Sequence, residues 1–470
     1  MRSNSYNFTH PFLRKIESFK QDSICLIAQS KATTYGELLD STRNALNLLN
    51  DIKANSVIGI IGDYDLETLA FFLACIEKGF IITPLSASLI PKDSIFSPML
   101  QSCIKEGQID YLFYNNTLHS THNTDKKHSI IASLQANHTS GLILFSSGST
   151  GKPKAIVHNL NTLLESYCNK RQNPLRIMSV YLPDHIAGID VMLNTFGSGG
   201  SLIIPKERSP QWILESLQKH KVEILPASPT LLRLLLVAGL SNYDLTHLKL
   251  VIYGSEKMSS KLLESLQQAL PHTRFKQSFG TSETNAIKTK QADESDFAEF
   301  FRIINADYKI VDNILYLKSH TNALGYLNSD NSVFDNEGYF ATGDLVEVKT
   351  INGEEYIKII GRAKEVINVG GEKVIPQEVE GVLLQIPFIS DCVVYGESNA
   401  ITGQSVSVKV VLDSEKIEEV ESQSHATSNL TLKKYIRTFC KDKLAPFKIP
   451  SKVSIVESLE VSERLKRKRG

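Results

Sequence analysis

The sequence predicts an α/β protein: a large N-terminal domain on mostly parallel sheet, then a small α+β unit. Three observations carry that reading. From about Thr33 to Leu250, short β-rich apolar runs alternate with runs of helical apolar spacing, the pattern of parallel strands joined by helices. Some of the β-like runs, GLILFSSG and LVIYGS among them, end in Gly or Ser, at the strand ends where such sheets gather ligands. After Asn313 the runs shorten and turns multiply, and after Arg362 strands and helices fall into a compact α+β order.

The elements follow in order. SVIGIIGD (Ser56 to Asp63) reads as a buried strand and LETLAFFLACIEKG as the helix after it. GLILFSSG, SLIIPK and LVIYGS read as strands, WILESLQKHK and SSKLLESLQQAL as amphipathic helices. NILYLKS, GYFATGDL and EEYIKIIGR give a β-rich subdomain over 313–361. Beyond it come a helix (PQEVEGVLLQI), strands (CVVYGE, SVSVKVVL), a polar stretch from Ser414 to Asn429, a helix (LKKYIRTFCKDKL) and a last strand (KVSIVES). The expected domains are 1–361 and 362–470.

Composition narrows the function. The 470 residues are 42% hydrophobic and 22% charged, ordinary for a globular chain and unlike a disordered one. Lys plus Arg and Asp plus Glu are each 51, so no net charge draws the chain to nucleic acid or an anionic membrane. The six cysteines are scattered without a CxxC pair, which fits free thiols in a reducing compartment better than disulfides or zinc. No apolar run approaches the roughly 20 residues that span a bilayer, and the N-terminus lacks a signal-peptide core. A cytoplasmic location is the expectation.

The strongest local signal is LILFSSGSTGKPKAIVH, Leu142 to His158. A β-like run ends in Ser146, Ser147, Gly148, Ser149, Thr150, Gly151, Lys152, Pro153 and Lys154. Small hydroxyl residues and glycines let backbone N–H groups approach a phosphate, and lysine adds charge. The spacing is not that of a Walker loop: two residues separate the glycines, and proline follows Lys152. By composition alone a surface turn is an ordinary alternative reading.

SSGSTGKPK resembles the phosphate loop of the AMP-forming adenylating superfamily, which holds acyl-CoA synthetases, peptide-synthetase adenylation domains and luciferases. Further segments resemble its signatures in the same order: TTYGELLDSTRNALNLL, IEKGFIITPLS, LPDHIAGIDVMLNTFGSGGSLIIP, YGSEKMS, QSFGTSETN, YFATGDL, IIGRAKEVINVGGEKVIPQEVE and LAPFKIPSKV. The resemblance implies stacked, mostly parallel sheets in the large domain and a mobile C-terminal domain. It implies an enzyme that joins a carboxylic acid to ATP as acyl-AMP, releases pyrophosphate, and passes the acyl group to CoA or to the phosphopantetheine of a carrier protein.

It also implies roles. Ser146 to Lys154 would grip the ATP phosphates. Glu283, with the hydroxyl of Ser149 or Thr150, would hold Mg²⁺, a hard cation suited to oxygen ligands. Gly254, Ser255 and Glu256 would lie along adenine and acyl group. Phe279, standing where the family has Tyr, would stack on adenine without donating a hydrogen bond; Gly280, Thr281 and Ser282 complete that segment. Asp344 would accept the ribose hydroxyls, Arg362 would touch ribose or phosphate, and Lys364 falls on the hinge. Ala155 replaces the usual Gly at the loop exit.

The C-terminal motif departs most. Aligning its preceding strand puts Lys466 on the catalytic lysine position, with Leu465 in place of Gly and Glu460 in place of Pro; a slipped register would give Lys468. A basic tail is the ordinary reading of such an end. His185 stands where acyl-CoA synthetases place a residue beside the reacting carboxylate, although a satisfied core histidine is a common alternative. Asp184 and Asp190 are local candidates for an amino-acid substrate's ammonium, but the D-H-I-A-G order favours an uncharged acyl substrate. Two rivals remain: adenylation of an acyl or amino acid for loading onto a separate carrier protein, and a non-catalytic nucleotide-binding relative, motivated by the altered C-terminal motif.

Overall fold

The computed structural model describes residues 6–90, 97–123, 126–147, 153–292, 299–413 and 429–460. Strand Val57–Gly62 shows how its core is laid out. Ile58 and Ile60 face one apolar cluster, Val57 and Ile61 another. Alternate residues of a strand point to opposite faces, so this strand is covered on both sides. Its neighbours repeat the split: Ile82 against Ile81 and Leu85, Leu142 and Leu144 against Ile143 and Phe145.

These strands belong to a seven-stranded sheet in the order Gly325–Tyr326, Pro153–Asn159, Gly141–Ser147, Ile81–Ser86, Val57–Gly62, Tyr111–Tyr114, Thr117–Ser120. Its interior pairs are parallel; both outer regions are antiparallel. A second seven-stranded sheet runs from Arg274–Gln277 to Lys31–Thr34 and is parallel except for its last pair. One core cluster holds Ile58 and Leu142 from the first sheet, Leu26 and Leu202 from the second, and Leu69 to Ile76 from helix Leu66–Lys78. The two sheets therefore stack with helices between them. Asp65 caps that helix by accepting from Thr68 N–H at 2.8 Å, and nearly every later residue in it is buried, as a helix between two sheets must be. Phe71 stacks on Phe113 with ring centroids 3.7 Å apart.

A six-stranded antiparallel sheet follows, in the order Thr289–Gln291, Phe301–Ile303, Glu354–Arg362, Phe340–Ile351, Ile314–Lys318, Asp307–Val311. The β-rich region expected from 313 thus begins earlier, at Thr289. The two leading strands have three residues each, too few for alternation to be legible. A five-stranded sheet with helices Pro376–Leu383 and Asn429–Lys441 makes the C-terminal α+β part. Arg233, on helix Pro229–Val237, donates to the Ser390 carbonyl and lies 3.6 Å from Asp391, tying the two parts together.

Candidate active site at the strand ends

The glycine- and serine-rich segment joins two antiparallel strands, Gly141–Ser147 and Pro153–Asn159, with Ser146 paired to Lys154 and Ser147 to Pro153. The segment is thus followed by a strand, where a Walker loop would lead into a helix. Gly148, Ser149, Thr150, Gly151 and Lys152 lie outside the described residues, as does Lys466. Asn328 donates to the Pro153 carbonyl at 2.8 Å and accepts from Ala155 N–H at 2.9 Å. Ala155 is fully buried within the strand, so alanine in place of the family's glycine fits.

QSFGTSETN folds as a tight hairpin, Phe279–Thr281 against Asn285–Ile287, with Glu283 in the turn. Thr281 Oγ1 accepts from the N–H groups of Glu283 and Thr284, both at 3.2 Å, and Thr281 N–H donates to Thr284 Oγ1 at 3.1 Å. Short hydroxyl residues bond their own backbone in this way and fix a turn. Gly280 has a reason to be glycine: a Cβ there would sit 2.2 Å from the Asn285 carbonyl oxygen. At Gly254 the corresponding distance to Ser278 O is 2.6 Å. Phe279 rests its ring 5.3 Å from Phe301 and is half-buried.

Glu283 Oε1 accepts from the Tyr326 hydroxyl at 2.8 Å. Burial, with the charge of Glu283 added, holds the Tyr326 phenol well above its usual pKa, so it keeps its proton. The Lys154 ammonium lies 5.2 Å from the centre of the same ring, within cation–π reach. Tyr326 therefore stands between the last residue of the loop motif and the acidic turn. Nothing in the sequence reading pointed to it: GYLN has no periodic signal, and its partners are distant in the chain.

Oxygen Oε1 of Glu283 is thus taken, while Oε2 has no protein partner among the described residues and the side chain is half-buried. Mg²⁺ is usually held by one or two carboxylates together with substrate phosphates and water. A single half-open carboxylate fits that demand. Among the described residues no cluster of three or more His, Cys, Asp or Glu offers a cage.

Asp344 is the most constrained acid of the site. Its side chain is 4% exposed, and Oδ1 lies 2.6 Å from Arg362 Nε. Its N–H donates to Thr342 Oγ1 at 3.0 Å. Oδ2 is buried without a hydrogen-bond partner among the described residues. Burial pushes the carboxyl up, Arg362 and Thr342 pull it partly back, Glu365 and Glu283 add smaller upward pushes, and the group is left at about 6. An unsatisfied buried acceptor costs about 1–3 kcal/mol; a ligand's hydroxyl donor would relieve that. The TGD motif pointed to this residue.

Other expected residues are placed differently. Glu256 accepts from Thr230 N–H at 3.2 Å and from its hydroxyl at 2.6 Å, so its carboxylate serves the start of helix Pro229–Val237. Ser255 has a positive φ of 67° at the turn before it. His185 caps helix Ile186–Gly197, its Nδ1 accepting from Ala187 N–H at 3.2 Å; that places its proton on Nε2. Asp190, weighed as an ammonium partner, accepts from the Tyr167 hydroxyl at 2.7 Å. Lys364 is exposed in the short turn Ala363–Glu365 after Arg362.

Comparison with known proteins agrees with this geometry. The AMP-binding enzyme family matches residues 115–326 and the AMP-binding enzyme C-terminal domain residues 378–466. A vibriobactin-specific 2,3-dihydroxybenzoate-AMP ligase of Vibrio cholerae is 27% identical over 398 residues, covering 77% of this chain and 68% of that one. A 2-succinylbenzoate–CoA ligase of Listeria monocytogenes is 22% identical over 470 residues, covering 95% of each. The crystal structure of the anthranilate CoA ligase AuaEII with anthranoyl-AMP superposes with a TM-score of 0.78 at 18% identity, covering 99% of this chain and 97% of that one. No helix of the described residues is long and apolar enough to cross a membrane. With the two family models together spanning more than half of the sequence, the chain belongs to the AMP-binding enzymes, the superfamily of AMP-forming adenylating ligases.

Proposed function

We propose that the chain activates a carboxylic acid whose acyl group is otherwise uncharged, using ATP, and transfers the acyl group to a thiol, most naturally that of CoA. The single observation that carries the nucleotide half is Asp344: a desolvated carboxylate with one oxygen on Arg362 and the other unpartnered. In the first step a carboxylate oxygen bonds to the α-phosphorus as the bond to pyrophosphate breaks. In the second, a thiol sulfur bonds to the acyl carbon, AMP leaves, and the thiol proton is released. Bound Mg²⁺ would neutralise phosphate charge. The chain's own residues would orient the reactants, which is most of what such a transfer needs.

In this reading Glu283 carries the cation, Asp344 and Arg362 the ribose side, Lys154 and the loop hydroxyls the phosphates, and His185 the acid. Residues 362–470 form the moving domain with Lys364 at the hinge, and Lys466 is the catalytic lysine. Lys466→Ala should slow adenylation about 100-fold or more, roughly 3 kcal/mol; an unchanged rate removes the assignment. The relatives named as CoA ligases support CoA as acceptor. The relative named for forming an aryl-AMP favours a second reading, a separate carrier protein as acceptor. Offering both acceptors after acyl-AMP has formed, with mass spectrometry of each, separates them. Acylation of CoA supports the first reading, and acylation of the carrier alone replaces it.

A further inference from the structure

Strand Pro153–Asn159 leaves the phosphate loop and runs beside the acidic turn. Near its end His158 is fully buried. Its Nε2 lies 2.7 Å from the carbonyl oxygen of Ser282, the residue before Glu283. A carbonyl only accepts, so Nε2 carries the proton. Nδ1 is then a bare lone pair, buried without a hydrogen-bond partner among the described residues. Burial pushes the imidazole below its usual pKa, which keeps the ring neutral.

A leucine or phenylalanine would fill this space without burying a bare acceptor, which costs about 1–3 kcal/mol. The hydrogen bond that the imidazole makes at 2.7 Å falls on the acidic turn, and the Thr321 backbone also lies beside the ring. The opposite side of that turn is held from the same strand. Tyr326, whose hydroxyl binds Glu283, pairs with Ile156, and Leu324 N–H donates to the Val157 carbonyl at 2.7 Å. Ala323 N–H binds the Glu283 carbonyl at 2.6 Å.

We propose that His158 is a positioning residue: its Nε2–H, by holding the Ser282 carbonyl, fixes the direction of the Glu283 carboxylate relative to the strand that leaves the phosphate loop. It does not touch substrate. It couples two segments that share one strand, so that carboxylate and triphosphate meet the same cation in register. The proposal rests on the reading of Glu283 as the Mg²⁺ carboxylate.

The test compares His158→Leu, which removes the donor, with His158→Gln, whose amide nitrogen reaches the same place. ATP binding is followed by calorimetry as Mg²⁺ is varied, beside AMP binding without metal and thermal melting. His158→Leu should raise the Mg²⁺ concentration needed for half-maximal ATP affinity about tenfold and leave AMP affinity within twofold. His158→Gln should recover most of the loss. Equal Mg²⁺ requirement in His158→Leu and the native protein overturns the proposal, as does failure of His158→Gln to rescue while melting normally. Glu283→Gln separates the underlying reading. If it leaves the Mg²⁺ requirement unchanged, Glu283 is not the cation carboxylate and the proposal falls with that reading. If it raises the requirement and His158→Leu does not, only the proposal fails. Should His158→Leu not fold, ¹⁵N spectra of the native imidazole decide: a proton on Nε2 supports the proposal, and the Nδ1–H tautomer contradicts it.

Discussion

Two carboxylates, one in the six-stranded sheet and one in a separate two-stranded hairpin, show what this scaffold does with charge. Asp344 is sunk in the antiparallel sheet, bound to Arg362 on one oxygen and unpartnered on the other. Glu283 sits in a hairpin turn, half-buried, with one oxygen on Tyr326. The first is desolvated, so its charge is costly until hydroxyl donors reach it. The second keeps an open side, as a partly hydrated Mg²⁺ requires. Under the proposed function, burial depth more than residue type would separate the ribose acceptor from the cation ligand.

The sharpest way to test that contrast is Asp344→Asn. Nucleotide affinity should fall about 10- to 100-fold, since a charged acceptor for hydroxyl groups is worth roughly 1.5–3 kcal/mol. Fold stability should move the other way. With a folded pKa near 6, above the ordinary 3.8, protonation favours the native state. That contribution is complete below about pH 4 and is lost as pH rises through 6, roughly 3 kcal/mol at 1.36 kcal/mol per unit. Asp344→Asn should therefore melt higher than the native protein at pH 8, and the gap should close toward pH 4. A variant that melts lower at pH 8 would show that Arg362 outweighs desolvation. In the native protein AMP affinity should drop as pH falls below about 6.

Tyr326→Phe touches only the second carboxylate. It removes the hydroxyl from Glu283 and keeps the ring under Lys154, so the Mg²⁺ requirement for ATP binding should rise about fivefold to tenfold, near 1 kcal/mol, with AMP affinity unchanged. A loss of AMP affinity instead would merge the two regions that the contrast keeps apart. The smallest effect belongs to Phe279→Tyr. The ring already packs on Phe301, and the added hydroxyl should change ATP affinity less than threefold.

Much of this was legible in the sequence, for physical reasons. The buried strands announce themselves as apolar runs ended by Gly or Ser, and SVIGIIGD and LETLAFFLACIEKG emerge as strand and helix. Asp344 and Glu283 were reachable through short motifs. What stayed hidden depends on contacts between segments far apart in the chain. Tyr326 and His158 act on a turn 43 and 124 residues away, and neither leaves a local pattern. Glu256 is the converse: its motif suggested the ligand, while its carboxylate spends itself on Thr230, 26 residues upstream.

The central claim is that this nucleotide corner serves acid activation. Acid-dependent ATP–pyrophosphate exchange tests it most directly, run with Mg²⁺ and no thiol over fatty, aromatic, hydroxy and amino acids. The account predicts exchange that needs both the acid and Mg²⁺, appears with an uncharged acyl or aryl acid, and is lost in Glu283→Ala. Binding of ATP with no exchange for any acid would contradict it and leave a nucleotide-binding protein without the ligase reaction.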